Sequence, residues 1–290
     1  MIKTSMAKIL RTFLLILVLI FQSPIFSFSQ YNSFILSNKI VEVFGAPDLR
    51  IQNMPIKRLE KNLKSKVNGI CFLIEEIPEK GLYIPNEYGM KRWDYLRQKF
   101  FNTTYYYKGL PLTIINDQLY YFGRGVGHTV EEKNESWLEE ISSLISESKS
   151  KLHIAEERAL IQRYQDAYQV TFNIKWETLP DKETFSRYRY LLFLVADEIK
   201  TEYMGGQIFE NVAYDFIPLE GDDPKVFDGS GLPLVSLNRK ISPEDEMITL
   251  STATFKLPEV KRDTGWSLHL ILEDPENLGK AIFSYRIRLL

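Results

Sequence analysis

The sequence predicts an α/β domain followed by an all-β antiparallel sandwich, and three observations carry that expectation. Between residues 39 and 148, apolar runs with strand alternation are interleaved with segments whose apolar residues recur every three or four positions. From residue 169 onward the helical period disappears, and short apolar runs follow one another between turn signals. Ahead of both stands a leader. Lys3, Lys8 and Arg11 precede an apolar run over residues 12–21, and Ser27-Phe-Ser29 presents small residues at the positions a signal peptidase reads.

The elements are read in order. Lys39-Ile-Val-Glu-Val-Phe44 alternates and is β-branched, which predicts a strand. Gly45-Ala-Pro-Asp48 is turn chemistry. Ile56, Leu59 and Leu63 fall at helical spacing with lysines between them, which predicts a helix over 55–66. Residues 67–74 form a second buried strand, and Trp93, Leu96 and Phe100 mark one face of a helix over 91–101. A strand over 112–115, a turn at Asn116-Asp117 and a strand over 118–122 form a hairpin. Capping-box patterns at Thr129–Glu132 and Ser136–Glu139 each offer a helix start. Trp137, Ile141, Leu144 and Ile145 supply its apolar stripe. Leu152, Ala155, Ala159 and Leu160 extend the helical reading over 151–168 as a linking helix. Strands are then expected over 170–177, 188–196, 211–217, 234–238, 247–256, 267–272 and 281–289, as in a sandwich.

Composition sets limits on function. The apolar run of the leader is shorter than the ~20 residues a membrane helix needs, so cleavage before Gln30 and a periplasmic or secreted protein are expected, with no membrane span afterwards. That cut leaves 261 residues, enough for two domains, and moves the formal net charge from -2 to -5. An acidic balance argues against a nucleic-acid partner. The single cysteine, Cys71, excludes an intrachain disulfide, and its apolar strand predicts an inert thiol.

The segment Lys108-Gly-Leu-Pro-Leu-Thr-Ile-Ile-Asn-Asp-Gln-Leu-Tyr-Tyr-Phe-Gly-Arg-Gly125 resembles the second half of a thioredoxin fold. Together with the element order, it makes residues 30–150 similar to a thioredoxin-like domain and residues 169–290 to a C-terminal β-sandwich. Exported bacterial thioredoxin-like proteins of uncharacterised function share this layout, with Val41-Glu-Val-Phe44 and Arg97-Gln98 in corresponding places. The resemblance implies a cis bond at Pro111; a trans proline at a strand start is the other reading. It also places Leu49-Arg-Ile-Gln52 where the family carries Cys-x-x-Cys. Neither Leu49 nor Gln52 can form a thiolate, so dithiol exchange is excluded.

Other motifs lead to ordinary structure. Gly123-Arg-Gly-Val-Gly127 lacks the Lys-Ser/Thr of a phosphate loop and reads as a flexible turn. His128, His153 and His269 show no ligand spacing, and no cofactor or metal is expected. Glu220-Gly-Asp-Asp and Asp228-Gly-Ser-Gly231 read as loops, and Glu75-Glu76 and Glu273-Asp274 cannot form dyads within a strand. Tyr105, Tyr106 and Tyr107 lie just before the proline loop, where aromatics can hold a ligand, although aromatics at such places more often serve core and hairpin packing.

The expectation is a redox-inactive, non-catalytic protein- or peptide-binding component of the cell envelope. Its contact surface comprises Pro47, Asp48, Leu49, Arg50 and Gln52 with Tyr107, Leu110 and Pro111. Two other readings stay open: an envelope assembly component working through the sandwich, and an enzyme with a site between the domains.

Overall fold

The computed structural model describes residues 27–29, 34–37, 39–47, 54–64, 66–77, 79, 81–102, 105–116, 119–148, 154–176, 189–202, 206–220, 247–258, 264–274 and 280–289. Its strands are β1 (Ser27–Ser29), β2 (Phe34–Ser37), β3 (Ile40–Gly45), β4 (Asn68–Leu73), β5 (Leu112–Ile115), β6 (Leu119–Phe122) and β7 (Ile154–Tyr164). They continue as β8 (Ala167–Trp176), β9 (Arg189–Lys200), β10 (Ile208–Phe216), β11 (Met247–Ser251), β12 (Phe255–Lys256), β13 (Trp266–Asp274) and β14 (Lys280–Leu289). The helices are α1 (Ile56–Asn62), α2 (Glu87–Phe101) and α3 (Val130–Glu147).

Nine of these strands form one mixed sheet in the order β2-β14-β13-β9-β10-β4-β3-β5-β6. A second sheet runs β1-β7-β8-β11, with β12 also paired to β8. This corrects the expected α/β thioredoxin-like domain with a separate C-terminal sandwich. The late strands β9, β10, β13 and β14 extend the same sheet as β3–β6 through the parallel pair β10–β4. The physical reason lies in β9, where every residue from Tyr190 to Ala196 is buried. A strand buried on both faces belongs in the middle of a covered sheet, whereas the outer face of a simple sandwich stays polar.

Helices and the second sheet cover the two faces. On one side, Leu59 of α1, Trp137 and Ile141 of α3, and Ile161, Phe172 and Leu250 of the second sheet share a core with Val43, Leu192, Leu268 and Ile287. On the other side, Tyr88, Trp93 and Leu96 of α2 pack on Phe44, Phe72, Ile114 and Phe193.

The linking helix is also corrected. Residues 151–153 lie outside the described residues, and 154 onward form the hairpin β7–β8, turned at Gln165 with φ +54°. Ala159 and Ile161 are buried while Arg158 is exposed and Leu160 and Gln162 are half-buried, so period 2 prevails over the helical spacing of Ala155, Ala159 and Leu160. Of the two capping-box patterns, Thr129–Glu132 opens α3 and both of its bonds form, while Ser136–Glu139 lies inside the helix. The strand expected at 234–238 lies outside the described residues. So does the leader through residue 26; Ser27–Ser29 pairs with β7 as β1.

A buried polar network stitches the sheet where it changes partner. Glu60 of α1 accepts from Gly69 N at 2.9 Å, from Asn211 Nδ2 at 3.0 Å and from Arg286 Nη1 at 2.9 and 3.0 Å. Arg286 also approaches Asp197 at 3.4 Å, and Ser267 donates to the same carboxylate at 3.3 Å. Beside Arg286 on β13 sits His269, wholly buried and with neither ring nitrogen bonded.

Removing one member of the Glu60–Arg286 pair leaves a buried charge alone. Arg286→Met is expected to cost about 3–5 kcal/mol in urea unfolding, and Glu60→Met/Arg286→Met clearly less than the sum of its single changes. The imidazole of His269 gives a second expectation, because burial, followed by the nearby Arg286 charge, pulls its pKa well below 6.5. The fold therefore holds the neutral ring, and the unfolded chain takes up the extra proton as pH falls. Stability is full above the ordinary histidine range and is lost below it, at about 1.4 kcal/mol per pH unit. Urea unfolding between about pH 7.5 and 5 should show this slope, and His269→Leu should flatten it.

Candidate functional site

The parallel pair β3–β4 runs in register from Ile40↔Asn68 to Gly45↔Leu73, so both carboxyl ends reach the same end of the sheet. β5 is antiparallel to β3 with Phe44 opposite Leu112, which brings Leu110-Pro111 in beside Gly45-Ala-Pro47. In open sheets, ligands bind outside the carboxyl ends of parallel strands. This end of the sheet is the candidate site.

The loop before β5 is held by several anchors. Trp93 of α2 donates its indole N–H to Tyr106 O at 3.0 Å, and the Tyr107 hydroxyl bonds Glu75, which follows β4. Leu110 N bonds Tyr107 O at 3.2 Å. Gly109 has φ +92°, and a Cβ there would stand 2.2 Å from the Phe101 ring, so only glycine fits. Arg97 lies 5.6 Å from the Tyr106 ring centre and pairs with Asp94 at 3.2 Å. Burial, and then the Asp94 charge, raise the Tyr106 pKa.

Several large apolar side chains of the neighbouring segments are exposed. Tyr105 is 62% exposed, Phe122 44%, Val126 82% and Val130 58%, and Leu110 is half-buried among them in sequence. Val126 sits in the turn after β6, where Gly125 has φ +98° and passes too close to the α3 backbone for a side chain. Arg124 turns inward to Asn134 at 3.0 Å, so the glycine turn serves as a helix approach.

The expected contact residues divide into two groups. Pro47 is buried at the end of β3; Tyr107 and Leu110 are half-buried; Pro111 is buried, and its bond to Leu110 is cis. The register brings Pro47, Leu110 and Pro111 to one end of the sheet, with Tyr107 anchored to Glu75 beside them. Asp48, Leu49, Arg50 and Gln52 lie outside the described residues.

Cys71 pairs between Val43 and Val212 in the sheet interior, and burial followed by the Glu210 charge pushes its pKa up to about 12. Sequence reasoning missed two buried ion pairs. Arg92 of α2 reaches Glu42 of β3 at 3.2 Å beneath the helix, and Arg286 meets Glu60. Their signal was a single charge inside an apolar strand, as in Ile40-Val-Glu-Val-Phe44. Among the described residues, no group of three metal-ligating side chains gathers, and no helix is long and apolar enough to cross a membrane.

Comparison with known proteins adds little. No family model and no curated protein matches the chain. One solved structure, protein AGR_C_4864 from Agrobacterium tumefaciens, is similar over 88% of this chain and 94% of its own. Its identity is 14% and its TM-score 0.42, too low to bear on fold or function.

The Cys71 environment predicts slow chemistry. Ellman's reagent at pH 8 should leave the native thiol unmodified while labelling it fully in urea. Rapid native labelling would overturn the inert reading.

Proposed function

We propose that this chain is an exported, non-catalytic binding protein of the cell envelope, and that its partner is a protein or peptide docking at the sheet end around Leu110. The observation that supports the reading is the anchored loop at Tyr106–Pro111, beside which Gly123 N bonds Pro111 O and the exposed Phe122 ends β6. Exposed apolar side chains gathered in one place mark interaction surfaces. Functional loops on rigid elements are the common arrangement for binding. The single, buried cysteine removes dithiol exchange from the candidate activities.

Site-specific photo-crosslinking in intact envelopes tests this. A probe replacing Leu110 should capture a discrete partner that a probe replacing the exposed Arg163 of β7 does not. Capture at Arg163 alone would move the function to the second sheet and sink the proposal.

A further inference from the structure

The outer margin of β6 defines what kind of chain docks there. β6 is the last strand of the nine-stranded sheet, and among the described residues nothing pairs beyond it. Gly123 N bonds Pro111 O at 2.8 Å, and β6 then pairs Phe122↔Leu112 and Tyr121↔Thr113. Antiparallel partners alternate between bonded and non-bonded pairs. Phe122 is therefore a non-bonded partner of Leu112, and its own N–H and C=O point away from β5. Its ring is exposed, and it meets Phe100 at 5.8 Å and Phe101 at 5.2 Å.

Two cations flank these rings. Lys99 Nζ stands 5.0 Å from the Phe100 ring centre and 5.5 Å from that of Tyr120, and Lys108 Nζ stands 5.9 Å from that of Phe101. Both lysines are exposed, and no carboxylate of the described residues pairs with either. A strand margin with apolar rings and two unneutralised ammonium groups is complementary to an extended chain that alternates acidic and apolar residues. A second copy of β6 fits worse, because antiparallel self-pairing about Phe122 would bring both lysine sets together.

We propose that an acidic, extended segment of the partner protein adds to β6 as a tenth strand, exchanging main-chain hydrogen bonds with Phe122 and placing its carboxylates against Lys99 and Lys108. This rests on the reading of the same sheet end as a protein-binding surface, and it specifies the path and charge of the bound chain.

The test uses the full chain and two fluorescein-labelled peptides, one of alternating aspartate and valine and one with lysine in place of aspartate. In fluorescence anisotropy the acidic peptide should bind and the basic one should not. Lys99→Glu/Lys108→Glu should weaken binding by about tenfold, and added salt should weaken it in the wild type. Phe122→Pro removes the outward N–H without touching the β5 ladder, and an edge strand tolerates proline. It should abolish binding while thermal unfolding stays cooperative, and Phe122→Leu should retain most of it. Equal binding of the two peptides, unchanged binding by Phe122→Pro, sedimentation with phosphatidylglycerol vesicles in place of peptide binding, or a concentration-dependent dimer lost on Phe122→Pro would each overturn the inference. A partner captured at Leu110 with no acidic-peptide binding would sink the strand-addition step while leaving the binding reading intact.

Discussion

The structure depends on the junction between β4 and β10. These strands share a single parallel register, Val212 opposite Cys71, and through it the first half of the chain and the last join one sheet. Toward Gly69 the main-chain ladder gives way to side chains. Asn211, at φ +50°, donates to Gly69 O at 3.1 Å, and Glu60 accepts the Gly69 N–H. Backbone groups that lose ladder partners in a buried place must find others. Here an amide and a carboxylate supply them. Gly69 itself must lack a side chain, because a Cβ would stand 2.2 Å from Ile56 of α1.

A carboxylate placed there needs a cation, and that need shapes the whole sheet. Arg286 comes from β14, four strands from β4 in sheet order, yet it meets Glu60 at 2.9 Å. Asn68 at the start of β4 also donates to Ser284 of β14, at 3.0 Å. The sheet must curl until its far strands return over the junction, in keeping with the right-handed twist of strands. Buried ion pairs contribute little net stability compared with apolar packing, but losing one partner is costly. The network therefore acts mainly against alternative pairings of β10, since a displaced strand would strand Glu60. On the opposite face, Arg92 and Glu42 tie α2 to β3 in the same way.

What the sequence disclosed follows the range of each interaction. The strand at 40–45, the helix α1, the hairpin β5–β6 and the cap of α3 rest on patterns within a few residues, and they form where those patterns lie. The cis bond at Pro111 was expected only from the resemblance to a thioredoxin-type proline loop, since local sequence also allows a trans proline at a strand start. β7 was not, since Ala155, Ala159 and Leu160 fit a helical stripe while Ala159 and Ile161 equally fit a strand. The membership of β9 in the central sheet was written in its unbroken apolar run, which marks burial on both faces but does not name the partner strand. The Glu60–Arg286 contact spans 226 positions, and no local pattern announces it. Phe122 posed a related difficulty. Alternation puts it on the face opposite Tyr121, but only the arrival of α2 decides which ring stays exposed.

The candidate site inherits its rigidity from this scaffold. Trp93, itself locked in the core, fixes the Tyr106 carbonyl, and Glu75 fixes Tyr107. The Phe101 ring admits only a glycine at 109. A loop held at three points by α2 and β4 has little conformational entropy left to lose when a partner binds. Ordering of loops and side chains is one of the costs of binding, so such a surface returns more affinity per unit of area than a flexible one. The exposed residues, by contrast, sit on tips that the core does not need. Tyr105, Val126 and Val130 contribute nothing to the buried clusters, and leaving them in water is unfavourable unless something covers them. A loop held still beside exposed apolar tips is what the proposed docking of another chain requires.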